Sequence, residues 1–127
     1  MSICILLIDD DPSINILNRL VIDLSPVEAE VFEYTEASVA LEELSAGQIN
    51  PELILLDINM PEMSGWDFVD SYQALPKEVQ QSKIVMLTSS INPRDKEKAE
   101  TNQVIDGFFI KPLTITSIQE ITEKVLK

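Results

Sequence analysis

The chain has 127 residues, a length suited to one domain, and its 45% hydrophobic content suffices for a buried core. It contains no histidine and one cysteine, Cys4, which excludes histidine-based catalysis and a cysteine-rich zinc site. The net charge of −13 is uneven: residues 1–76 carry fifteen Asp and Glu with only Arg19 as a cation, and residues 77–127 balance at +1. So acidic a first half repels phosphate backbones and argues against nucleic-acid binding.

The opening MSICILLIDD lacks the basic region and cleavage site of a signal peptide, and no apolar run approaches the length of a membrane span. A cytoplasmic location is the expectation, with Cys4 a small core residue in a reducing compartment. Ile3–Ile8 reads as a first strand. Asp11 and Pro12 form a helix start, and Ile14, Leu17, Val21 and Leu24 keep helical spacing to about residue 24. Glu28 to Tyr34 mixes charges with β-formers, which suits an edge strand. Ala37, Leu41 and Leu44 mark a second helix that stops near Gly47.

Leu53–Leu56 is short and wholly apolar, as expected of a strand buried on both faces, and it runs straight into Asp57. Trp66, Phe68, Val69 and Tyr72 give a third helix ending before Pro76, with Gly65 serving the turn into it and Trp66 packing beside the site. Ile84–Leu87 is a fourth strand. Pro93 to Thr101 is helical in composition, but Ala99 is its one apolar residue besides Pro93. Pairs such as Arg94 with Glu97 and Lys96 with Glu100 would support it only weakly, so it reads as a loosely anchored helix. Gly107–Ile110 is a fifth strand, and Ile115, Ile118, Ile121 and Val125 mark a last amphipathic helix.

Strands alternating with helices predict an α/β fold with a doubly wound, five-stranded parallel sheet. The polar second strand belongs at an edge, which favours the order 2-1-3-4-5 and sets strands 1 and 3 side by side at the switch point. The strand C-termini then deliver Asp9, Asp10, Asp57, Thr88 and Lys111 to one edge. Carboxylates gathered there repel and need compensation, which a hard cation such as Mg²⁺ can supply. Lys111 adds a point charge for phosphate, and Thr88 a hydroxyl donor. A carboxylate so flanked is equipped to attack phosphorus and become an aspartyl phosphate.

Over essentially its whole length the sequence resembles the receiver domains of two-component response regulators, nearest in plan to the single-domain chemotaxis type. The similarity lies in LLIDDDP, LILLDINMPEMSG, MLTSS and FFIKPL, in that order. It implies a flavodoxin-like (βα)5 three-layer sandwich comprising residues 1–127 as one domain. It implies phosphorylation of Asp57, Mg²⁺ held by Asp9, Asp10, Asp57 and the backbone carbonyl of Asn59, and phosphoryl contacts from Thr88 and Lys111. A sensor histidine kinase or histidine phosphotransfer protein would be the donor. The chain would catalyse only its own phosphorylation and dephosphorylation. The resemblance also implies a cis peptide at Lys111–Pro112. The switch aromatic, three residues before the lysine, is Phe108 and not the frequent tyrosine, so any output needing that hydroxyl is lost.

Output is expected through the face of helix 4, strand 5 and helix 5 toward a protein target, since the sequence ends with its last helix and no output domain follows. Two other readings compete. A phosphorylation-independent interaction module of the same fold would have no use for the acidic pair, acceptor, hydroxyl and lysine together. An aspartyl-phosphate hydrolase of the haloacid-dehalogenase type would need DxDxT, and Asp57-Ile58-Asn59 lacks the second acid. Asp11 is read as a helix cap. The three glycines form no phosphate-binding loop, which disfavours nucleotide binding.

Overall fold

Four of the five α-helices start on a side chain that caps them; the helix after Glu36 does not. In the computed structural model, which describes residues 2–89 and 92–126, the elements follow as β1 (Ile3–Ile8), α1 (Pro12–Leu24), β2 (Ala29–Tyr34), α2 (Ala37–Ser45) and β3 (Leu53–Leu56). They continue as α3 (Gly65–Gln73), β4 (Lys83–Thr88), α4 (Pro93–Thr101), β5 (Ile105–Ile110) and α5 (Ile115–Lys124), with one 3₁₀ turn at Lys77–Val79. Asp11 caps α1 by accepting the Ser13 N–H at 2.9 Å, with Pro12 just inside the helix. Ser64 and Asp67 close a reciprocal capping box on α3, and Thr114 and Ser117 do the same on α5.

The five strands are all parallel, in the order β2-β1-β3-β4-β5 anticipated above. Alternate side chains feed two separate cores. Leu6, Ile8, Ile54, Leu56, Ile84 and Met86 pack with Ala40, Leu44, Phe68 and Tyr72 of α2 and α3. Ile5, Leu7, Leu53, Leu55, Val85 and Leu87 pack with Ile22 of α1 and Ile118 and Ile121 of α5. This is why β3 reads as an unbroken apolar run: both of its faces are covered. Among the described residues no helix is long and apolar enough to cross a membrane. The Lys111–Pro112 peptide is cis, as the resemblance implied.

Three details depart from the sequence reading. α1 forms as expected, yet its buried residues are Asn15, Asn18 and Ile22. Leu17, Leu20 and Leu24, 50 to 75% exposed, line an apolar groove of about 390 Å³ with Ile14, Val21 and Pro112. β5 begins at Ile105 and not Gly107, because Asp106 Oδ2 accepts the Ile84 N–H at 2.9 Å across a register shift and so completes the ladder with a side chain. The ion pairs of the described residues include neither Arg94–Glu97 nor Lys96–Glu100, consistent with the small worth of exposed pairs.

At the outer edge of the sheet, Arg19 Nη2 donates to the Val31 carbonyl at 2.7 Å and its Nε pairs with Glu33.

Candidate functional site

The sheet register gathers the chemistry. Ile8 pairs with Leu56, so the residues that follow, Asp9 and Asp57, emerge side by side, and the Asp57 N–H donates to the Ile8 carbonyl at 3.0 Å. Thr88 pairs with Ile110, and the Lys111 N–H donates to the Thr88 carbonyl at 2.8 Å, carrying the lysine onto the same edge.

Asp9 and Asp57 are buried, at 4% and 6% exposure, and Thr88 is fully buried; Asp10 is exposed. Lys111 Nζ lies 2.5 Å from Asp9 Oδ2 and 3.3 Å from Asp57 Oδ1, bridging the two carboxylates. Each carboxylate also accepts a backbone N–H: Asp9 Oδ1 that of Asp11 at 2.9 Å, and Asp57 Oδ1 that of Ile58 at 2.9 Å. Burial pushes the Asp57 carboxyl above the usual carboxylate range against the pull of Lys111, and the charge on Asp9 adds to the rise. Burial alone would lower the Lys111 ammonium, but its hydrogen bond to Asp9 and the two carboxylate charges outweigh that and raise it.

Asp9, Asp10 and Asp57 each bring a carboxylate oxygen within 4.8 Å of the others. Three hard oxygen donors against one lysine leave negative charge uncompensated in a half-buried pocket. That donor set fits a small hard divalent cation such as Mg²⁺ and is wrong for a soft metal. Asn59 lies exposed in the loop after Asp57, and only its backbone oxygen was expected to contribute. In the same loop Glu62 takes a left-handed backbone conformation with φ of 67°. Gly65 approaches Asp57 so closely that a Cβ there would sit 2.4 Å from the Asp57 carbonyl oxygen. The glycine is needed for that contact more than for a turn.

Phe108 is half-buried beside Met86, on the face that also carries Thr88, and packs against the core shared with α2 and α3. Asp9, Asp10, Asp57 and Lys111 therefore converge on one carboxylate-rich pocket, and Thr88 ends the neighbouring strand. The sequence reading passed over Asn15, and it gave Trp66 only as packing beside the site. Asn15 donates from Nδ2 to the carbonyls of Asp9 and Tyr34, both at 3.1 Å. Trp66 reaches across to α4, where its indole N–H meets Asp95. The signal for Asn15 was available in the polar residues at 15 and 18, set between apolar neighbours at helical spacing.

Residues 5–123 match the response regulator receiver domain family. The chain is 31% identical over 129 residues to the transcriptional regulatory protein MctR of Rhizobium johnstonii, a match covering 98% of this chain and 55% of that protein. It is 31% identical over 109 residues to the nitrate/nitrite response regulator protein NarL of Escherichia coli, covering 86% of this chain and 48% of that protein. It thus spans about half the length of the curated relatives it matches. Among solved structures, a two component response regulator from Cytophaga hutchinsonii superposes with a TM-score of 0.88 at 35% identity, covering 99% of this chain and 98% of that one. With a parallel sheet in the order 2-1-3-4-5 and its acidic residues, hydroxyl and lysine gathered at one edge, the chain belongs to the response regulator receiver domains of two-component systems.

Proposed function

We propose that residues 1–127 act as one cytoplasmic receiver unit that accepts a phosphoryl group on Asp57 from a histidine-phosphorylated protein, a sensor kinase or a phosphotransfer protein. The observation that carries this reading is the setting of Asp57. It is buried at the end of a central strand, 3.3 Å from an ammonium and within 4.8 Å of two further carboxylates. In this reading Asp9, Asp10, Asp57 and the Asn59 carbonyl hold Mg²⁺. When bound, the cation neutralises the clustered carboxylates and the charge on the transferring group.

The Asp57 carboxylate attacks phosphorus in line with the phosphoramidate P–N bond. That bond breaks, the imidazole leaves and takes a proton from water, and Asp57 carries the new acyl phosphate. The nucleophile is already ionised, so no separate base is required. Lys111 gives the arriving phosphoryl oxygen one of the donors now spent on Asp9 and Asp57, and the Thr88 hydroxyl gives another. Self-hydrolysis returns the resting state, with no outside substrate turned over. The apolar groove along α1 opens beside Lys111 and Pro112 and offers the donor protein a surface bordering the site. Output runs from Thr88 through Phe108 to a protein target on the α4–β5–α5 face.

Incubation with Mg²⁺ and acetyl phosphate, followed by intact mass spectrometry, tests the reading. The expected result is an adduct of about 80 Da, one phosphoryl group, absent in Asp57→Asn. Wild-type protein that stays unmodified would leave a phosphorylation-independent module; label retained by Asp57→Asn would move the acceptor elsewhere.

A further inference from the structure

Of the three clustered carboxylates, Asp10 has the least support. Asp9 is held by the Asp11 N–H and Lys111, and Asp57 by the Ile58 N–H and Lys111. Among the described residues no side-chain hydrogen bond or ion pair holds Asp10, which is exposed. Its carboxylate is therefore aimed by its backbone, and the peptide leading into it carries the Asp9 carbonyl.

That carbonyl accepts one Asn15 Nδ2 hydrogen at 3.1 Å, and the second goes to the Tyr34 carbonyl at 3.1 Å. Tyr34 also accepts the Asp9 N–H at 3.1 Å. One amide thus ties the first turn of α1 to the ends of β1 and β2. Packing does not do this alone, because a narrow void lined by Asp9, Asn15, Asn18 and Asp57 lies at the same place. The Asn15 oxygen, moreover, is the one buried side-chain polar atom without a partner among the described residues. An unsatisfied buried acceptor is a cost that a leucine of similar size would avoid. The two donated bonds account for an amide at this position.

We infer that Asn15 is a positioning residue for the cation site: by fixing the Asp9–Asp10 peptide, it sets where the Asp10 carboxylate meets a divalent ion. This inference rests on the cation reading proposed above. Supporting residues that orient metal ligands typically change affinity tenfold or more when removed.

The experiment is Mg²⁺ titration by calorimetry of the wild type, Asn15→Leu, Asn15→Ala and, as a packing control lower on the same helix, Ile22→Val. Asn15→Leu keeps the volume and removes the donors, and Asn15→Ala covers the case in which leucine does not fold. Both are expected to bind Mg²⁺ about tenfold more weakly or worse, with Ile22→Val unchanged. In metal-free protein the amide resonances of Asp10 and Asp11 are expected to move in the Asn15 variants and stay in place in Ile22→Val. Wild-type affinity in the Asn15 variants would overturn the inference while leaving the cation site standing. An equal loss in Ile22→Val would reduce Asn15 to a structural residue. No Mg²⁺ binding by the wild type would overturn both.

Discussion

Trp66 donates its indole N–H to Asp95 Oδ1 at 3.3 Å, so the first turn of α3 grips the first turn of α4. Lys98, one turn further along α4, sets its ammonium 4.6 Å from the centre of the same ring. α4 buries only Ala99, so this polar clasp adds to the packing of α4 on β5. Trp66 directly follows Gly65, which abuts the Asp57 carbonyl, so a shift at the acceptor loop has a short route to α4. Trp66→Phe removes the donor and leaves a smaller aromatic ring under Lys98. Hydrogen exchange over residues 93–101 is expected to quicken about fivefold, for a bond worth about 1 kcal/mol. Unchanged protection would mean that α4 is held by other contacts.

Asp57 sets a pH dependence whose sign follows from its raised pKa. A carboxyl whose folded-state pKa lies above its unfolded value contributes stability that is complete below the unfolded value, about 4 for Asp, and lost as pH rises through the folded one. Without divalent metal, Asp57→Asn is therefore expected to be more stable than the wild type at neutral pH, with the gap closing toward pH 4. Urea unfolding in EDTA across that range measures it. A wild type more stable at pH 7 would mean that the attraction to Lys111 outweighs burial.

Gly65→Ala is expected to be costly although alanine is the better helix former. The added Cβ would stand 2.4 Å from the Asp57 carbonyl oxygen and 2.9 Å from Ile58 Cα, and both neighbours are backbone. The expected loss is about 1–3 kcal/mol, as for other overpacked sites, with slower labelling of Asp57 because its strand end must shift. Full stability together with wild-type labelling would show that the loop yields without strain.

Beryllofluoride, as a phosphoryl mimic, is expected to change exchange protection in α4 and around Phe108, and Thr88→Val is expected to abolish the change. Ser90 and Ile91, in the loop the switch would cross, lie outside the described residues. The phosphoryl group need favour the switched arrangement by only a few kcal/mol to reverse the populations. With a phenyl ring at position 108 that bias comes from packing alone. Changes confined to residues 57–65 would mean that the chain signals through another face.

The sheet order was legible because β3 is apolar on both faces and β2 is not, and the pocket because four strands end on chemically distinct side chains. Other features depended on contacts that no local pattern reveals. The leucines of α1 announced a helix but pointed to the wrong face, since Asn15 turns inward to reach two strand-end carbonyls that the sequence cannot pair in advance. The fifth strand was read from Gly107, yet it starts at Ile105, and the Asp106 carboxylate takes the place of a ladder acceptor for Ile84. Trp66 packs against the core as read, but it also reaches partners about thirty residues away on a helix nearly bare of apolar residues.

Arg19 has a meaning beyond its single positive charge. The Ile3 and Asp9 N–H groups bond to Glu28 and Tyr34, so the even-numbered carbonyls of β2 face β1 and that of Val31 faces outward. The guanidinium occupies that outward carbonyl and also engages Glu33. An open parallel sheet is a template for strand addition, and an incoming strand would have to displace this clamp while bringing its own carboxylates against Glu30 and Glu33. The lone cation of an acidic half-chain thereby guards the sheet against runaway polymerisation, a protection that no residue of the phosphoryl chemistry supplies.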